Sequence, residues 1–126
     1  ILGICLGMQL LADLSEEGGI NNGLSFIPGK VLDLSNKIKI RVPHIGWNAV
    51  KMKNNNNLFK NIESGQEFYF VHKYYYSCEN KYLLAETNYE INVTAAINHE
   101  NIYGVQFHPE RSHNSGLKLL ENYSKL

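Results

Sequence analysis

Ile1-Leu2-Gly3-Ile4-Cys5-Leu6-Gly7-Met8-Gln9 opens the chain, and its reading decides the fold class. Ile1–Cys5 is apolar and reads as the end of a buried strand. Leu6–Glu16 follows with Met8, Leu10, Leu11 and Leu14 in an approximate helical stripe, stopped by Gly18-Gly19. Between strand and helix stands Gly3-Ile4-Cys5-Leu6-Gly7, a glycine–x–nucleophile–x–glycine elbow with cysteine as the nucleophile. Glycines suit both flanks because side chains there would collide in a tight, strained turn. A sulfur at a helix N-terminus is favoured as thiolate, which matters for a thiol whose free pKa is ~8.5. The Leu6 N–H, next after the nucleophile, is the natural first oxyanion donor.

Outward from the elbow, Asn21–Gly29 reads as a loop. Lys30–Leu34 and Ile38–Val42 read as strands around a turn at Ser35–Lys37. Pro43–Asn48 reads as a glycine-containing turn, and Ala49–Lys53 as a short strand. Asn57 is placed to cap one helical turn over Leu58–Ile62. Glu67–Tyr76 is rich in aromatics and suits one strand, and Tyr82–Thr87 continues the sheet. Ile91, Val93, Ala95 and Ile97 alternate as a half-buried strand that returns through His99-Glu100-Asn101 to Ile102–Phe107. Ser115–Lys125 closes as a helix. The pattern predicts an α/β fold: an open, flavodoxin-like sheet whose second half carries antiparallel additions.

A second chemical signal follows Phe107. In His108-Pro109-Glu110, the proline biases His108 towards extended backbone and fixes its own φ. Residues i and i+2 then face the same way, so Glu110 can hold one imidazole nitrogen while the other serves a thiol. That is a base with its orienter.

The 126 residues are enough for one domain, and twelve basic residues balance twelve acidic ones. No basic patch points to nucleic acid and no apolar run reaches the ~20 residues of a membrane span. Cys5 and Cys78 make no disulfide framework, and the five histidines fall into no metal pattern. A reducing cytoplasm, no metal and no cofactor are the expectations.

With these residues in hand, the chain resembles the class I (triad) glutamine amidotransferases. Gly3–Gln9 and Gly104-Val105-Gln106-Phe107-His108-Pro109-Glu110 carry that resemblance. Pro43-His44-Ile45-Gly46-Trp47-Asn48, Phe70-Val71-His72 and Asn101-Ile102-Tyr103-Gly104 narrow it to the glutaminase subunits of imidazole glycerol phosphate synthase. The resemblance implies glutamine hydrolysis through a Cys5 thioester, with His108 and Glu110 completing the triad. It implies that Gln9, Lys73 and Tyr74 line the glutamine site, and that His44, Trp47 and Asn48 face a cyclase subunit with a β/α-barrel fold. That partner would use the ammonia to make imidazole glycerol phosphate and aminoimidazole carboxamide ribotide.

The match implies that residues 1–126 are the C-terminal part of a single domain. The first strands and the loop supplying a second oxyanion donor would then lie upstream of Ile1. Two further departures from the family pattern are Lys73, where a small hydroxyl residue is usual, and Arg111, where lysine is usual. The rival readings are a paralogous subunit feeding ammonia to surface-sugar amidination, a non-catalytic module with the same fold, and a cysteine peptidase.

Overall fold

The computed structural model describes residues 1–126 as a mixed α/β fold. Strand β1 (Leu2–Ile4) enters α1 (Leu6–Gln9). Short strands β2 (Leu14–Ser15) and β3 (Asn21–Asn22) follow, then β4 (Lys30–Asp33) and β5 (His44–Met52). The chain continues through β6 (Glu67–His72), β7 (Tyr74–Ser77), β8 (Leu83–Tyr89), β9 (Ile91–His99) and β10 (Ile102–Val105) to α2 (His113–Ser124). One sheet has the order β1-β10-β9-β8-β5-β6, and a smaller one the order β3-β2-β4-β7.

Only one pair of the large sheet is parallel, β1 with β10, in the register Gly3↔Gly104 and Ile4↔Val105. The antiparallel additions therefore make up most of it. The parallel pair is the one that matters for the site. Both strands run the same way, so the residues that follow them, Cys5 and Gln106–Glu110, leave at the same edge of the sheet.

Several of the expected elements differ in extent or type, for visible reasons. The helix ends at Gln9 rather than Glu16, because the carbonyls of Leu10, Leu11 and Ala12 accept N–H groups from Leu24–Ile27. Asp13 and Glu16 instead bond to the carbonyls of Gly29 and Val31 beside β4. Ile38–Val42 is not a strand. The Glu90 carboxylate accepts the N–H groups of Lys39 and Ile40 and replaces a sheet partner.

Pro43–Asn48 is not a turn either: from His44 onward it is β5, paired residue for residue with β6. Gly46, at φ +122°, absorbs the irregular backbone there. The expected single strand Glu67–Tyr76 breaks at Lys73, where the chain crosses from the large sheet to the small one. Asn56, not Asn57, caps the turn over Asn57–Phe59.

The main core holds Phe59, Phe68, Phe70, Phe107 and Leu119, with Phe68 and Phe107 ring centroids 4.3 Å apart. A second cluster of Met8, Leu11, Ile27, Val31, Tyr76 and Ile97 buries the inner face of α1. Burial of several large side chains at ~1.5–3 kcal/mol each fixes the platform under the elbow.

Candidate active site

Cys5 sits at φ +54°, ψ −107°, a strained backbone conformation for a residue with a side chain. Gly3 is required by close approach: a Cβ there would lie 2.6 Å from the Gly7 carbonyl oxygen. Gly7 is not, since a Cβ on it meets nothing within 4 Å. The expectation that both flanking glycines avoid collision thus holds for Gly3 alone.

The thiol donates to the Val71 carbonyl at 3.8 Å and accepts from Gln106 Nε2 at 3.8 Å. Burial pushes the Cys5 thiol above its usual pKa. The Leu6 N–H and the Gln106 amide act against that shift, and the charges of Glu110 and Glu17 add to it. The expected thiolate-favouring helix end is therefore outweighed. With α1 only four residues long, little dipole accumulates, and desolvation wins. The resting group is a thiol that needs a base.

His108 Nδ1 lies 2.9 Å from Glu110 Oε2, the base–orienter arrangement, and Nε2 has no hydrogen-bond partner within the chain. The His108 N–H donates to the Tyr69 carbonyl, which ties the turn to β6. Ser112, which the sequence did not single out, is a buried strut beneath it. Its hydroxyl accepts from the Tyr69 N–H at 2.9 Å and donates to the His108 carbonyl at 2.6 Å. Arg111 stacks its guanidinium over the Tyr69 ring at 4.5 Å.

Beside the elbow lies a groove of about 180 Å³ lined by Leu6, Gln9, Ser15, Glu17, Asn21 and Asn22. Glu17 was missed in the sequence because it fell at the end of an expected helix, where a carboxylate carries no signal. Gln9 is buried, and its Nε2 donates to the Tyr74 carbonyl and to Gln106 Oε1. Lys73 turns its ammonium to Asp33 (3.9 Å) and over the Tyr74 ring.

Of the three residues expected to face a partner, His44 is turned inward, only 2% exposed. Its ring stacks between Phe70 and Tyr89 because β5 alternation points it at the core. It pairs with the equally buried His72 at 3.0 Å, and burial lowers both to a pKa of about 4. Trp47 is 43% exposed and stacks on His113 with centroids 4.9 Å apart. Asn48 is partly buried and donates to the Asn88 carbonyl.

Thiol, imidazole and carboxylate leaving one sheet edge are the parts of a cysteine-dependent acyl-transfer site. The family model "Glutamine amidotransferase class-I" matches residues 1–124, and the chain belongs to that family. Curated relatives include the imidazole glycerol phosphate synthase subunit HisH 2 of Methanococcus maripaludis. It is 50% identical over 99% of this chain and 62% of the relative. The protein of the same name from Vibrio vulnificus is 46% identical over 98% of this chain and 58% of its own length. The chain thus spans about three-fifths of the curated relatives it matches. Among solved structures, a glutamine amidotransferase from Thermotoga maritima superposes with a TM-score of 0.62. That match has 20% identity and covers 98% of this chain and 46% of the other, a likeness of fold.

Proposed function

We propose that the chain is the C-terminal, catalytic part of a single glutamine amidotransferase domain, the glutaminase subunit of an imidazole glycerol phosphate synthase. The observation that carries this reading is the Cys5 elbow and the His108–Glu110 pair leaving one sheet edge. The two relatives at 46 and 50% identity support it.

In the mechanism, His108 Nε2 takes the Cys5 proton as the thiolate attacks the glutamine carboxamide carbon. The developing oxyanion faces the Leu6 N–H. His108 then protonates the nitrogen, which leaves as ammonia, and the acyl group remains as a γ-glutamyl thioester. Water, deprotonated by the same imidazole, cleaves the thioester to glutamate and restores the thiol. Glu110 orients His108 and stabilises the imidazolium that forms. The groove beside the elbow accepts the amino-acid end of the substrate. Glu17 provides a carboxylate for its ammonium, and Gln9 and Tyr74 line the approach.

The ammonia passes to a cyclase partner of β/α-barrel fold, which makes imidazole glycerol phosphate and aminoimidazole carboxamide ribotide. Exposed Trp47, stacked on His113, is the aromatic anchor for that interface. No helix is long and apolar enough to cross a membrane, and the cytoplasm, where Cys5 stays reduced, belongs to the same proposal.

The test is substrate bypass in the full-length subunit with its partner. Cys5→Ala should abolish glutamine-dependent synthesis and leave ammonia-dependent synthesis intact. Normal glutamine-dependent synthesis in that variant would overturn the reading.

A further inference from the structure

Four side chains between Cys5 and Asn48 form one hydrogen-bonded chain whose polarity can be read without ambiguity. Its origin is the Tyr74 carbonyl, a group that only accepts. Gln9 Nε2 (3.1 Å) and His72 Nδ1 (2.8 Å) both meet it, so both nitrogens carry protons. On one arm, His72 Nε2 is left with a lone pair, and His44 Nδ1 donates to it at 3.0 Å. His44 Nε2 then accepts from Asn48 Nδ2 at 3.2 Å, whose oxygen in turn accepts the Ala49 N–H. On the other arm, the second Gln9 N–H is directed at Gln106 Oε1 at 3.2 Å. That contact leaves Gln106 only one orientation: its Nε2 faces Cys5 Sγ at 3.8 Å. Flipping Gln106 would set two donors against each other and place an oxygen against the sulfur.

We infer that Gln106 is a further catalytic residue, the side-chain donor that stabilises the Cys5 thiolate, and that Gln9 is the positioning residue that fixes its amide polarity from the Tyr74 carbonyl. Gln106 is fully buried, so no water competes for this donor. Burial, the Val71 carbonyl and the Glu110 and Glu17 carboxylates oppose ionisation of the thiol, while the Leu6 backbone N–H acts the same way as Gln106. A fixed N–H on the sulfur offsets part of that opposition, and it is worth more to an anion than to a neutral thiol. The inference rests on Cys5 being the nucleophile proposed above, yet it concerns the ionisation of the thiol rather than glutamine turnover.

The experiment follows alkylation of Cys5 by iodoacetamide against pH in the full-length protein, read by mass spectrometry of the Cys5 peptide. Cys78, whose thiol is pushed up to about 11 by burial, serves as an internal control. Gln106→Met keeps the length and removes the donor. It should raise the Cys5 midpoint by roughly one pH unit, the size of one hydrogen bond to a charged group. Gln106→Glu should raise it further, and Gln9→Met should raise it too, because a released Gln106 can flip. The Cys78 profile should not change. Unaltered Cys5 midpoints in folded Gln106→Met and Gln9→Met would overturn the inference.

A second measurement needs no variant at these two positions. In the 15N-labelled wild type, the Gln106 side-chain amide signal should titrate with Cys5, and in Cys5→Ala it should stay still. A signal blind to Cys5 ionisation would also overturn the inference. Failure of the function reading looks different: glutamine turnover would survive Cys5→Ala whatever the thiol midpoints do.

Discussion

Gly116 lies in α2, eight residues beyond His108, and a single methyl group there should disable the proposed triad. A Cβ at this position would sit 1.9 Å from the Pro109 carbonyl oxygen, 2.7 Å from its carbon and 2.9 Å from Ser112 Cβ. Ordinary carbon–oxygen contact is about 3.3 Å, so Gly116→Ala demands a separation of roughly 1.4 Å. Neither side yields easily. The helix is pinned by fully buried Leu119 and by Asn122, which donates to the Leu58 and Lys60 carbonyls. The Pro109 turn is pinned by the His108 N–H on Tyr69 and by the Ser112 strut.

The cost should reach the upper end of overpacking, about 3 kcal/mol. Because the yielding turn carries His108 and Glu110, a displacement near 1 Å should also lower kcat on the order of a hundredfold. Gly7→Ala is the matched control. Its Cβ meets nothing within 4 Å, and stability should stay within about 0.5 kcal/mol of the parent or rise slightly. Urea unfolding and glutaminase turnover of the full-length protein give both readings. If Gly116→Ala unfolds and turns over like the parent, the packing argument is refuted.

Glu110→Gln should keep the melting profile and reduce kcat by roughly two orders of magnitude or more, since the imidazole loses its orienting charge; steady-state kinetics alongside a thermal melt check this. The buried His44–His72 pair predicts acid sensitivity. Both have folded pKa values near 4, below the ~6.5 of an unfolded histidine, so the unfolded chain binds protons first and stability falls as pH drops. Between pH 6.5 and pH 4.5 the loss should be on the order of 2–3 kcal/mol per histidine, seen as a falling urea midpoint. A flat midpoint across that window would contradict it. Trp47→Ala should cost little stability, about 1 kcal/mol or less, while weakening titration calorimetry with the cyclase partner. Intact binding with a large loss of stability would make Trp47 a packing residue only.

The elbow and the His-Pro-Glu turn were legible in sequence because their chemistry is local. A strained glycine-flanked turn and a proline-fixed i, i+2 pair are both written within a few residues. Hidden from local reading was every feature set by a distant partner. The helix after Cys5 stops early because Leu24–Ile27 claims its carbonyls, and Ile38–Val42 is unpaired because Glu90 caps it from fifty residues away. His44 looked like a surface residue on a turn, but pairing with β6 makes that turn a strand and buries the ring. Ser112, Gln106 and Glu17 are ordinary polar residues in sequence. Gln106 gains its place when the parallel pairing of β1 and β10 brings it to Cys5 from a hundred positions away. Ser112 gains its place when β6 packs beside the His108 turn, and Glu17 when the chain after α1 folds back beside the elbow.

In the proposed function, Cys5 carries the acyl group of glutamine. Full-length protein with its cyclase partner, mixed with glutamine and quenched in acid at short times, should yield a γ-glutamyl adduct by peptide mass spectrometry. The adduct is expected on the peptide containing Cys5, not on Cys78, and not at all in Cys5→Ala. Turnover with no adduct on Cys5, or an adduct that persists in Cys5→Ala, would contradict it.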